Sequence, residues 1–144
     1  MYSPPPAPAP QVNRDLSRDR RVVTGPAQRE VWQRYRTQNW RGVHRTWVQR
    51  GGYSGYRVPA YRFRAYFGRR HVFHVYSYPV RFYRSYPEFR IQGFWVALLE
   101  PVPEWWAPDW YETDDVYVVE LDDGYYLADT SYPEDLVAIS FNLE

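Results

Sequence analysis

Three histidines, 17 carboxylates and 18 arginines carry whatever chemistry this 144-residue chain can do; cysteine and lysine are absent. Without a thiol there is no disulfide framework, thiolate metal site or cysteine nucleophile. His71 and His74 are the only closely spaced histidine pair, with His44 further upstream. A metal site needs ligands converging on one point. Residues three apart converge on a helix but face opposite sides of a strand. The run Val72-Phe73-His74-Val75-Tyr76 has strand composition, so His71 and His74 read as ordinary strand residues and only weak metal candidates. His71, sharing a face with Phe73 and Val75, then reads as a hydrogen-bonded core or edge histidine. Glu112, Asp114, Asp115, Asp122 and Asp123 supply oxygens of the kind Ca²⁺ takes, but without the regular spacing of an EF-hand loop. Asp122-Asp123-Gly124 is better explained as turn chemistry. No Gly-x-Ser-x-Gly elbow, phosphate-cradling glycine loop or His-Glu-x-x-His occurs. No cofactor is expected, and the balance leans away from an enzyme.

Binding chemistry is better represented. Arginine alternates with aromatics in Tyr61-Arg62-Phe63-Arg64-Ala65-Tyr66 and again in Arg81-Phe82-Tyr83-Arg84-Ser85-Tyr86. Guanidinium planes beside ring faces suit phosphates and stacked bases, and they suit anionic glycans or lipid headgroups equally. Arg62, Arg64 and Tyr66 are therefore candidate contact residues. A second candidate surface is Trp105, Trp106, Trp110 and Tyr111, set in a segment with three prolines between Pro101 and Pro108. Exposed, these rings are interface anchors; folded back, they cover one face of a sheet. The net charge of +1 hides a division. All the arginines lie between Arg14 and Arg90 against four acids, a local net of +14, whereas 13 acids and no cation follow residue 90, a net of −13. Cationic and acidic elements sharing one small domain should pair with each other first, within a copy or between copies.

The elements that must position these groups divide at Gly25-Pro26. Residues 1–25, Pro-rich and then rich in Arg and Asp, read as a disordered tail, and 26–144 as a single α+β domain. Val31, Trp32, Tyr35, Trp40, Val43 and Trp47 recur at spacings near three and four, predicting one long basic aromatic helix over 27–50 that ends at Gly51-Gly52. Its tryptophans Trp32, Trp40 and Trp47 form a stripe that would dock on the sheet or on a second copy. Gly42 in its middle weakens the reading by roughly 1 kcal/mol relative to Ala. From 56 to 144 the pattern predicts a short helix over Pro59–Phe67 and then an antiparallel sheet of about five or six strands. Strand-like segments fall at Phe89–Gln92, Phe94–Leu99, Val116–Leu121, Tyr125–Ala128 and Leu136–Leu143, with the alternating run 70–76 and Val80–Tyr83 as further candidates. The longest apolar stretch, Phe94–Leu99, is too short to span a bilayer.

Three stretches carry a resemblance. They are Gly51-Gly52-Tyr53 to Pro59 with Tyr66-Phe67-Gly68-Arg69-Arg70-His71; Pro101-Val102-Pro103-Glu104-Trp105-Trp106; and Trp110-Tyr111-Glu112-Thr113-Asp114-Asp115-Val116-Tyr117-Val118 with Asp122-Asp123-Gly124-Tyr125-Tyr126-Leu127. Over roughly residues 47–141 the chain resembles a group of uncharacterised secreted or periplasmic bacterial α+β proteins. That resemblance implies an envelope or extracellular setting and no particular activity. The start of the chain lacks the basic and apolar regions of a leader, so periplasmic or secreted placement would need one outside it. The leading expectation is a non-enzymatic envelope or extracellular protein. It would bind a protein partner or an anionic polymer such as a glycan, or self-assemble through its basic and acidic halves. One alternative is a small metalloprotein or hydrolase-like enzyme using His71 with acidic residues. A second, less favoured, is nucleic-acid binding by the Arg/aromatic half.

Overall fold

A computed structural model describes residues 21–143, so the Pro-rich stretch and most of the expected tail lie outside the described residues. Period-2 alternation and tight turns build six strands. They are β1 (Val80–Tyr83), β2 (Tyr86–Ile91), β3 (Phe94–Leu98), β4 (Val116–Leu121), β5 (Gly124–Asp129) and β6 (Tyr132–Asn142). All neighbours run antiparallel in the order β1-β2-β3-β6-β5-β4. Two three-strand meanders thus meet along β3 and β6, where Val96 faces Phe141. The protein is an α+β fold on one antiparallel sheet, as its sequence predicts.

Local chemistry sets the turns. Between β2 and β3, Gln92 and Gly93 both take positive φ (53° and 84°), the conformation a two-residue hairpin demands. Between β4 and β5, a Cβ on Gly124 would collide with the Trp47 ring, so only glycine lets that ring lie across the turn. Trp47 is fixed there by its backbone N–H donating to the Tyr126 hydroxyl (2.7 Å) and its indole N–H donating to the Tyr125 carbonyl (3.0 Å).

The long helix over 27–50 does not form. Instead α1 (Gln28–Arg34) stops at Tyr35, whose φ of −92° and ψ of 63° leave the helical region, and α2 is a single turn (Trp40–Val43). Two longer-range contacts win over helical periodicity. The backbone around Arg36 pairs with Val102, Thr37 N–H donating to the Val102 carbonyl (3.0 Å) and Val102 N–H to that of Tyr35 (3.2 Å). The Arg36 guanidinium then donates to the carbonyls of Pro103, Glu104, Trp106 and Ala107. Such charge-assisted bonds outweigh the few tenths of a kcal/mol per residue that helix propensity offers. Gly42 sits in the Asn39-capped turn rather than in a helix interior. Trp32, Trp40 and Trp47 are still buried, but from three separate elements.

The helix α3 (Ala60–Tyr66) lies within its expected span. The strand over 70–76 does not form. Only Phe73 pairs, exchanging two backbone hydrogen bonds of 2.9 Å with Val116 at the outer edge of β4, and Val75–Ser77 turns into a 3₁₀ helix. Val23 likewise pairs with Val80 on the edge of β1, so the chain is already packed two residues before Gly25-Pro26. The main core lies on one sheet face, where Phe89, Phe94, Phe141, Leu98, Leu127 and Ile139 meet Trp32, Trp106 and Trp110. Among the described residues no helix is long and apolar enough to cross a membrane.

Candidate anion-binding face

The sequence offered two aromatic surfaces, and the fold treats them in opposite ways. The loop after β3 folds back into the core. Trp106, Trp110 and Tyr111 are at most 1% exposed, with Trp106 and Trp110 edge-to-face at 5.3 Å and Trp32 against Trp110 at 5.7 Å. Arg36 ties the loop down through the four carbonyls named above. Trp105 alone is half-buried; its indole N–H donates to Asp135 at 2.6 Å and Arg41 lies over its ring at 4.8 Å. These four residues are a lid on the sheet and not an exposed platform. Aromatic burial outweighs exposure here because each ring removes a large apolar area from water.

The α3 region is the reverse. Five arginines, Arg57, Arg62, Arg64, Arg69 and Arg70, occupy fourteen residues with no acid among them. No acid occurs anywhere between Glu30 and Glu88. Three of the five lie over aromatic rings: Arg57 over Tyr53 at 5.0 Å, Arg62 over Phe94 at 4.8 Å and Arg69 over Tyr117 at 5.7 Å. Among the described residues none of the five side chains makes an ion pair or donates to a protein acceptor. The described ion pairs all belong to Arg29, Arg34, His44, Arg50, His74 and Arg81. Arg57, Arg64, Arg69 and Arg70 are exposed and Arg62 half-buried, with Tyr61 and Tyr66 exposed beside them at 68% and 40%. An open groove of about 410 Å³ lies beside Arg69, between Phe63, Tyr117, Pro133 and Leu136, with the exposed Glu120 also in its lining. A guanidinium held over a ring keeps its planar fork of donors oriented outward, the geometry that engages two oxygens of a carboxylate, sulfate or phosphate. The sequence reading selected Arg62, Arg64 and Tyr66 and missed Arg57, Arg69 and Arg70, although the acid-free gap around them was visible.

The second alternation of arginine and aromatics is divided: Arg84 is exposed over the Tyr83 ring at 5.1 Å, and Arg81 is spent internally. Arg81 is buried, donates to Glu88 at 2.8 Å and lies over both Trp95 (4.1 Å) and Tyr83 (4.6 Å), while Asn142 donates to the other Glu88 oxygen at 2.9 Å. The basic and acidic halves do meet within one molecule. Four of the six described ion pairs join residues before 91 to acids after it, among them Arg29–Glu112 and the Glu100 carboxylate with Arg50 and His44.

The histidines do not converge. His71 is an exposed loop residue whose Nε2 lies 3.2 Å from the Arg64 carbonyl, not a core or strand-edge side chain, and the exposed His74 Nε2 lies 2.9 Å from Asp115. Among the described residues no group of three or more His, Cys, Asp or Glu could hold a metal ion. The acids considered for Ca²⁺ are dispersed: Glu112 engages Arg29, Asp115 engages His74, and Asp123 accepts from the Val48 amide and the Tyr126 hydroxyl.

One carboxyl escaped the sequence reading. Asp129 ends β5 fully buried; its Oδ1 accepts from the Ser131 amide at 2.8 Å, and its Oδ2 meets no donor. Asp114 faces it from the turn before β4, brought there by the register that sets Val116 opposite Asp129. Two carboxyls can share a hydrogen bond only while one keeps its proton. Burial pushes Asp129 up to about 7, and the hydrogen bond and charge of Asp114 add to the rise.

Comparison with protein-family models, curated proteins and solved structures gives no match.

Proposed function

We propose that the protein is a non-enzymatic binding protein of the bacterial envelope or exterior, and that the α3 face captures an anionic polymer. The observation that carries this reading is the set of five arginines at 57–70 that lack any acidic or carbonyl partner among the described residues. Arg29, Arg34, Arg36, Arg45, Arg50 and Arg81 meet internal acceptors, whereas this group packs five cations into fourteen residues without one, and mutual repulsion among them costs stability unless an external anion relieves it. Three ring-stacked guanidiniums offer preoriented forks, and exposed Tyr61 and Tyr66 offer flat faces beside them. The envelope setting rests on the resemblance described above. It is tested by fractionating the native host, where recovery only in the cytoplasm would count against it.

The binding test is a titration with a heparin-derived oligosaccharide at rising salt. The logarithm of affinity should fall steeply with the logarithm of salt concentration, as counterion release requires, and the slope should shrink when Arg64, Arg69 and Arg70 are replaced by Ala. Single-stranded oligonucleotide forms a parallel arm, because phosphates and bases present the same chemistry to the same residues. Sedimentation at low and high salt separates self-association, in which exposed acids such as Glu120, Asp122 and Glu134 of a second copy would be the anion.

A further inference from the structure

The segment carrying Arg69 and Arg70 is held against the sheet at few points, and those points converge on the start of β4. Within the segment, the His71 amide donates to the Gly68 carbonyl (2.9 Å) and the His71 ring bonds the Arg64 carbonyl. Phe73 exchanges both backbone hydrogen bonds with Val116, and His74 reaches Asp115. The Asp115 backbone carbonyl accepts from the Thr130 amide at 3.0 Å, joining the start of β4 to the β5–β6 turn. Inside this junction the Asp114 and Asp129 carboxyls face each other.

We propose that the Asp114–Asp129 carboxyl pair is a pH-dependent clamp on the 68–74 segment, closed while the pair holds one proton and loosened once both carboxyls are ionised. Its effect on binding rests on the reading of the α3 face given above. The geometry supplies the cause. Asp129 is wholly buried, one of its oxygens is without a donor, and no cation is described as its partner. A second negative charge there is both desolvated and opposed by a like charge. The surrounding groups offer little relief. Asp114 faces the pair from the turn before β4, and the Ser131 amide bonds Asp129 from the β5–β6 turn. His74, from the edge segment, is engaged with Asp115, while Glu112 at the end of α4 (Trp110–Thr113) is engaged with Arg29. The cheapest escape is to separate the α4–β4 turn from the β5–β6 turn, which withdraws support from Val116 and hence from Phe73. Loosening 68–74 disperses Arg69 and Arg70, so affinity for an anion should decline as pH rises through about 7.

The test uses the intact chain and two readouts. Hydrogen exchange at the Phe73 and Val116 amides reports the clamp without any ligand. Once the intrinsic pH dependence of exchange is removed, wild-type protection at these amides should drop at least about tenfold between roughly pH 6 and pH 8.5, and Asp129→Asn should hold it constant. Binding of the heparin-derived oligosaccharide, whose sulfates keep their charge, should weaken about fivefold over the same range in wild type and stay level in the variant. Asp114→Asn is the second variant should Asp129→Asn fold poorly, and His71→Gln with His74→Gln removes histidine titration from the comparison. Equal pH dependence of protection in wild type and in the folded Asn variants overturns the clamp. Protection that responds as expected in a protein that binds no polyanion at any pH upholds the clamp and overturns the α3 reading together with its regulation.

Discussion

The two basic segments before the sheet, 28–50 and 57–70, carry six and five arginines and have opposite fates. In the first, Arg29 and Arg34 pair with Glu112 and Glu30, Arg50 with Glu100, and Arg36 and Arg45 donate to backbone carbonyls, leaving Arg41 on the Trp105 ring. In the second, no side-chain acceptor is described for any of the five, and three lie over rings at 4.8–5.7 Å. The difference lies in what each segment packs against. Residues 28–50 run over the acidic loop after β3, whose carbonyls and carboxylates are within reach; α3 covers the aromatic core, which supplies ring faces, and Glu120 in the adjoining groove makes no described ion pair with its arginines. Arginine serves assembly where acceptors lie within reach and stays available where only rings do. The charge division of the sequence is thus absorbed by folding in its first part and left without internal acceptors among the described residues in its second.

The largest effect should come from breaking the anchored segment at Glu100. Its buried carboxylate takes Arg50, His44 and the amides of Arg45 and Ala138, so Glu100→Ala removes the charge partner of the half-buried Arg50 and leaves two N–H groups without an acceptor. A loss of about 4 kcal/mol in chemical denaturation is expected. Next is the pH dependence of stability. The Asp129 carboxyl is raised from its ordinary 3.8 to about 7, so the folded state holds a proton that the unfolded chain has already released. The Asp129 contribution to stability should therefore be full below about pH 4, fall as pH rises towards 7 and then level, by at most on the order of 4 kcal/mol, and the difference between wild type and Asp129→Asn should follow that course. Urea midpoints measured across this range check it.

Arg36→Ala should cost about 2 kcal/mol, since several loop carbonyls lose a charged donor, and Arg36→Lys should recover little because one ammonium cannot reproduce the fork. Smallest in stability are Arg64→Ala and Arg70→Ala, each within about 0.5 kcal/mol of wild type in the same melts. A large loss there would mean that α3 arginines are anchored after all.

How far the sequence foretells this arrangement depends on the range of the contacts involved. The β4–β5 hairpin and β6 were legible because alternation and Asp122-Asp123-Gly124 are local signals. The long helix was not, because what interrupts it is Val102 and the carbonyls beyond it, some seventy residues away. Residues 70–76 alternate like a strand, but a single bridge at Phe73 is all the edge of β4 accepts. In the candidate site, the interleaving of Arg62, Arg64 and Tyr66 is a local signal, and the structure leaves Arg64 and Tyr66 exposed and Arg62 half-buried. The burial of Trp106, Trp110 and Tyr111 was not legible, since a proline-stiffened aromatic loop has one composition whether it is a lid or a platform. Asp129 was invisible because only the β4–β5 register brings Asp114 to it.

The central claim is that position, and not net charge, makes the α3 arginines the binding face. Its most direct test compares two triple variants of equal charge, Arg64/Arg69/Arg70→Ala and Arg29/Arg34/Arg41→Ala, in heparin-oligosaccharide titrations between about 50 and 300 mM salt. The first should lose more than about tenfold in affinity at low salt and flatten the salt slope, while the second stays within about threefold of wild type. Equal losses from the two variants would contradict the claim and reduce the interaction to overall charge.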